Sequence, residues 1–206
     1  MILVVEGPSA AGKTSYCRRF EARLLVPESA AGGGPGAGAS LEEAGAFWTE
    51  RNAERWQQSC RTEQAADLAV CDTDPLKLHY SWCLARAGLG APAAFGAQLR
   101  HARRAVAERR LGIADLIVCD IPGPAELRRR RDGDATRTRR NFALHARLAE
   151  PLREWYAALG ALDPGRVRWH FPSEPPEAAT RPRYDLDLFD AWMQRLPGPA
   201  GEPGAG

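Results

Sequence analysis

A chain of 206 residues with a formal charge of +2 has room for one substantial α/β domain and not for two, and its near-balanced charge by itself argues for neither a nucleic-acid nor a membrane partner. Of its 28 basic residues only Lys13 and Lys77 are lysines, and the other 26 are arginines. The five cysteines (Cys17, Cys60, Cys71, Cys83, Cys119) form no C-x-x-C pair and no metal-finger spacing, so free thiols are expected.

The chain opens on an apolar run over residues 2–6, of the kind buried in a parallel sheet. No basic n-region precedes it and no run approaches the ~18 apolar residues of a membrane span, so a cytoplasmic protein is expected. A Gly-rich loop and a helix over 13–23 follow, then a short strand over 24–28. Residues 29–40 are rich in Ala, Gly and Pro without periodicity, and a mobile loop is expected there. Helical periodicity runs over 41–66, with Phe47, Trp48 and Trp56 as expected buried anchors. Further strands are predicted at 68–71, 116–119 and 167–171. Helices are predicted at 76–86, at 95–111, after the arginine-dense stretch 128–140 through about 159, and at 186–196. Residues 197–206 lack the hydrophobicity to order themselves.

Five strands alternating with helices predict a three-layer α/β architecture over residues 1–196: a doubly wound parallel sheet with helices on both faces. Ligands on such a sheet bind beyond the carboxyl ends of its strands. The residues of chemical interest follow strands.

Gly7-Pro8-Ser9-Ala10-Ala11-Gly12-Lys13-Thr14 matches G-x-x-x-x-G-K-[ST] at every fixed position, with an apolar strand before it and a helix after. Gly7 and Gly12 permit the backbone angles that aim successive N–H groups at a phosphate, and the helix start adds its positive dipole end. Lys13 reaches the β- and γ-phosphates, and Thr14 offers a hydroxyl to Mg²⁺. The expected nucleotide site is therefore Gly7 to Ser15 with ATP and Mg²⁺ as cofactors.

A phosphoryl-transfer site needs a carboxylate for the metal and commonly another for the acceptor's proton. Asp72 and Asp74, after the strand 68–71, are candidate metal or substrate acids. Glu28, in Val26-Pro27-Glu28, stands where a carboxylate would face an acceptor hydroxyl across the cleft. Asp120 is a weaker candidate of the same kind. Arginines of a closing lid supply charge stabilisation and exclude water, and the lid is expected over 126–141 with Arg131, Arg137 and Arg140 as the candidates. The run lacks the interleaved aromatics of a nucleic-acid surface.

With these pieces placed, the chain resembles the P-loop small-molecule kinases, especially the deoxyribonucleoside kinases and nicotinamide-riboside kinase type proteins. Gly7 to Ser15, the Pro27-Glu28 pair, and Asp132-Gly133 with Arg137 carry the resemblance. It implies that Glu28 is the catalytic base and that residues 126–141 form the lid. The acid–arginine–serine triplet of deoxyribonucleoside kinases is absent, and Asp72-Thr73-Asp74-Pro75 stands in its place.

The expected activity is transfer of the ATP γ-phosphate to a hydroxyl of a small-molecule acceptor, of nucleoside kind. Lys13, Glu28, Asp72, Arg131 and Arg137 would be its catalytic residues, and Thr14, Asp72 and Asp74 its metal ligands. The donor base would lie against the loop 172–183. Aromatics of the helix 41–56, or Tyr80 and Trp82, would stack on the acceptor. A homodimer is compatible with this reading. A nucleoside-monophosphate kinase, an antibiotic or biosynthetic-intermediate phosphotransferase, and a regulatory NTPase switch remain as alternatives. The absence of an N-K-x-D motif argues against a GTPase.

Overall fold

The computed structural model describes residues 1–28, 33–133, 142–177 and 179–198. The expected mobile loop (in its part 29–32), the second half of the expected lid (134–141), including Arg137 and Arg140, and the tail from 199 onward lie outside the described residues.

Among the described residues five strands build one sheet: β1 (Ile2–Glu6), β2 (Leu25–Val26), β3 (Ala69–Asp72), β4 (Leu116–Cys119) and β5 (Val167–Trp169). Their order is β2-β3-β1-β4-β5, and all four pairings are parallel. This is the predicted α/β sheet. β1 is buried along its whole length because it is central and covered on both faces. Its side chains alternate accordingly. Ile2 and Val4 join Trp56, Trp82, Trp155, Phe189 and Trp192 on one side, whereas Leu3 and Val5 join Tyr16, Leu24, Val70 and Val118 on the other. The first core is much the larger, so the two helical layers are unequal.

The helices are α1 (Lys13–Cys17), α2 (Leu41–Ala66), α3 (Leu78–Arg86), α4 (Pro92–Ala107), α5 (Pro124–Asp132), α6 (Phe142–Arg147), α7 (Ala149–Leu162) and α8 (Leu186–Arg195). α2 begins in a capping box, in which Ser40 Oγ accepts from the Glu43 N–H and Glu43 Oε2 from the Ser40 N–H. Asp185 caps α8 by accepting from the Leu188 N–H at 2.8 Å.

Several expectations need correction. α1 is five residues long and does not reach 23. The chain turns through extended Glu21 and a 3-10 turn at Ala22–Leu24, which delivers Leu25–Val26 to the sheet edge. The helix expected after the arginines, through about 159, is divided into α6 and α7 at Leu148, and α5, carrying the first arginines, is an unpredicted helix. α4 starts at Pro92 rather than 95, with the proline in the first turn where its missing N–H costs nothing. Trp56 is buried and donates Nε1–H to Tyr184 Oη, but Trp48 is 43% exposed and Phe47 only half-buried. The buried face of α2 carries Gly45, Thr49, Asn52, Ala53, Trp56 and Ser59, and residues 47 and 48 fall on its flank. All five cysteines are free, four of them buried.

At the amino-terminal end of the strands, buried Asp115 accepts the Ile2 N–H at 2.6 Å and pairs with Arg183, which also holds Glu63. This network ties the start of β1 and the approach to β4 to α2 and to the segment before α8. The opposite, carboxyl end gathers the groups singled out from the sequence.

Candidate active site

β1 runs into the loop between Glu6 and Lys13. Gly7 has φ +150°, and a Cβ there would overlap the Asp120 carbonyl, so the loop can pass this close to the end of β4 only as glycine. Ala10 (φ 71°) and Gly12 (φ 101°) complete the turn into α1. Lys13 Nζ arches back to donate to the Gly7 carbonyl at 2.6 Å, spanning the mouth of the loop. Residues 7–15 all line one open cavity of about 850 Å³.

Two of the carboxylates picked out from the sequence face this loop. Val5 and Asp72 are register partners in neighbouring strands, which places Asp72 beside the loop leaving β1. Thr14 Oγ1 donates to Asp72 Oδ2 at 3.0 Å. A hydroxyl and a carboxylate on one spot suit Mg²⁺, which takes one or two protein oxygens and fills its octahedron with water and phosphate. Among the described residues no cluster of three or more His, Cys, Asp or Glu could hold a metal alone. Glu28 lies on the same cavity, ion-paired with Lys77. Burial raises its carboxyl, but Lys77, joined by Lys13 and Arg55, holds it below the usual glutamate value.

Asp74 is not part of this group. It is 2% exposed and turned into the core, where Oδ1 accepts from the Leu76 N–H at 2.9 Å and Oδ2 from Tyr156 Oη at 3.1 Å. Burial pushes it up to about 6, against the Leu76 hydrogen bond and with Glu6 adding to the rise. Asp72 and Asp74 diverge because Thr73 between them takes a left-handed conformation, φ 78°.

Sequence reasoning missed Glu6. It ends β1 at 2% exposure, lines the cavity, accepts the Gly7 N–H on Oε1 at 2.9 Å and accepts the Asp74 N–H on Oε2 at 3.0 Å. One carboxylate thus fastens both the glycine loop and the loop after β3. An acid closing an apolar strand was the available signal. Its neighbour His79 lies with Nε2 3.6 Å from Glu6 Oε2; burial drives its imidazole down to about 4, against the pull of Glu6. Arg55, also missed, is 5% exposed and donates to the carbonyls of Asp72 and Thr73 at 3.1 and 3.0 Å.

Of the predicted lid arginines, Arg131 is turned away, paired with Asp132 and lying over the Phe142 ring at 4.6 Å. Its neighbour Arg130 is the one at the loop, donating to the Ala11 carbonyl at 2.6 Å. Arg130 also borders a second, shallower hollow of about 840 Å³ on the β4 side of the loop, with Asp120, His170 and Phe171. Phe171, next to the expected 172–183 loop, stacks on Tyr16 at 4.9 Å and 20°. Of the aromatics expected at an acceptor, Tyr80 lines the main cavity, Trp82 is core, and none of α2 reaches it.

No protein-family model matches the chain, and no curated protein sequence does. Solved structures are similar to it. One is deoxyadenosine kinase from M. mycoides with bound dATP, at a TM-score of 0.52 and 10% identity, covering 94% of this chain and 96% of that one. Another is the same enzyme described with the products dCMP and a flexible dCDP, at 0.44 and 11%, with the same coverage. The chain has the fold of a P-loop deoxynucleoside kinase, and at this identity the likeness is one of fold.

Proposed function

We propose that the protein is a kinase that moves the γ-phosphate of MgATP to a hydroxyl of a small molecule of nucleoside kind. The observation that carries this is one cavity in which the loop 7–14, the Thr14–Asp72 pair and Glu28 face each other. The deoxyadenosine kinase fold supports the nucleoside class.

In this reading the donor phosphates lie along the loop N–H groups and the start of α1. Lys13 leaves the Gly7 carbonyl for the β- and γ-phosphates. Thr14 and Asp72 hold Mg²⁺, which when bound neutralises charge on the phosphate oxygens. Arg130 reaches the developing charge from the rim, as arginines do in phosphoryl transfer. The donor base takes the second hollow beside Asp120 and Phe171. Glu28 receives the acceptor's proton, and Tyr80, Leu148 and Leu152 form the acceptor's apolar wall.

ADP release by the purified protein with MgATP, against a panel of nucleosides and nucleotides, tests the reading, with Lys13→Ala as control. A many-fold rise with one acceptor class is expected, along with a loss of at least about 10²-fold in the variant. Tight MgATP binding with turnover indifferent to every acceptor would favour a nucleotide-binding switch.

A further inference from the structure

The chain holds two lysines among 26 arginines, and both line the same cavity. Lys13 belongs to the glycine loop. Lys77 has no such motif to explain it.

The backbone leading to Lys77 is held from several directions. Arg55 binds the carbonyls of Asp72 and Thr73, Glu6 binds the Asp74 N–H, and Asp74 caps the Leu76 N–H. Asn52 Nδ2 donates to the Leu76 carbonyl at 2.7 Å. Lys77 itself sits at φ 42° and ψ 14°, a left-handed conformation that a non-glycine residue keeps only when its surroundings impose it. From this fixed point its ammonium reaches Glu28 Oε1. Among the described residues, Glu28 Oε2 has no hydrogen-bond partner.

The residue type matters here. An ammonium is a compact charge that engages one carboxylate oxygen, whereas a guanidinium is a planar fork that takes both. We propose that Lys77 is a positioning residue for Glu28, holding Oε1 so that Oε2 is left for the acceptor hydroxyl. This rests on the phosphotransferase reading above. As the acceptor oxygen bonds to the γ-phosphorus, its proton passes to Oε2. The bond from that phosphorus to the bridging oxygen breaks, and ADP leaves with the electron pair.

Other groups face Glu28 as well: Lys13 from the loop, Arg55 from α2, His79 and Tyr80 from α3, and His145 from α6. Lys77 is the largest of the charges that lower its carboxyl.

Two readouts test the proposal. In ligand-free protein labelled with ¹³C-glutamate, the Glu28 carboxyl signal, assigned by its loss in Glu28→Gln, is titrated in wild type, Lys77→Met and Lys77→Arg. The Lys77→Met midpoint is expected to rise by about one pH unit, and that of Lys77→Arg to stay. With the acceptor found in the ADP assay, kcat falls by at least about tenfold in both variants while KM for ATP is little changed. The acid limb of kcat/KM moves up in Lys77→Met alone. An unmoved midpoint in Lys77→Met, or full kcat in Lys77→Arg, overturns the role of Lys77 with the kinase reading intact. Wild-type protein with no acceptor-dependent turnover sinks the kinase reading itself, and the acceptor role with it.

Discussion

Tyr156 Oη donates to Asp74 Oδ2 at 3.1 Å inside the core, one carboxylate away from His79, and Glu6 touches both neighbourhoods. Burial disfavours charge on Asp74 and on His79, so the first is raised to about 6 and the second lowered to about 4. Their effects on stability run in opposite directions. The Asp74 contribution is fully present below its unfolded value and is lost as pH rises through about 6. The His79 contribution is present above its unfolded value and is lost as pH falls through about 4. Each is on the order of 3 kcal/mol, so between about pH 4 and 6.5 they largely cancel.

Single substitutions should expose the two slopes. His79→Gln is expected to become more stable on acidification from pH 6.5 to 4, and Asp74→Asn to lose stability over the same window more steeply than wild type. Thermal unfolding midpoints across that range measure this. Parallel curves for all three proteins would show that neither group titrates as described.

Asp72 shares its Oδ2 with the Thr14 hydroxyl. Asp72→Asn keeps the hydrogen bond and removes the charge, so the Mg²⁺ concentration for half-maximal ADP release should rise about 10–100-fold. An unchanged Mg²⁺ dependence would place the metal elsewhere on the cavity.

Arg130 and Arg131 are adjacent in sequence and differ in direction. Arg130→Ala is expected to lower kcat by about 10²-fold, and Arg131→Ala to change it by no more than about threefold. Steady-state kinetics on the two variants decides. The reverse ranking would mean that α5 turns on ligand binding.

The glycine loop was legible because its chemistry is contiguous: the spacing of Gly7, Gly12, Lys13 and Thr14 is itself the mechanism. The parallel sheet was legible from apolar runs that need no partner to be identified. What escaped depends on direction. Asp72 and Asp74 look equivalent in sequence, and only the left-handed turn at Thr73 sends one to the cavity and the other to the core. Four consecutive arginines give no register, since each step around a helix is about 100°. Trp48 and Trp56 share a helix whose buried face could not be fixed before α4 was placed against it. Glu6, Arg55 and Lys77 act on groups 17 to 68 residues away, and composition has no way to announce such pairings.

The strand order β2-β3-β1-β4-β5 also divides the labour of the cleft. Glu28, Asp72 and Lys77 come from the β2–β3 flank, whereas Asp120, His170 and Phe171 come from the β4–β5 flank, with the glycine loop on the strand between them. Beyond that middle strand the flanks also meet through α7, where Tyr156 donates to Asp74 and Leu152 lines the main cavity. In the proposed reading the donor base and Glu28 would rest on opposite flanks, so side chains of the β4–β5 hollow can be exchanged without touching the Lys77–Glu28 pair, and selectivity can be altered at one flank at a time.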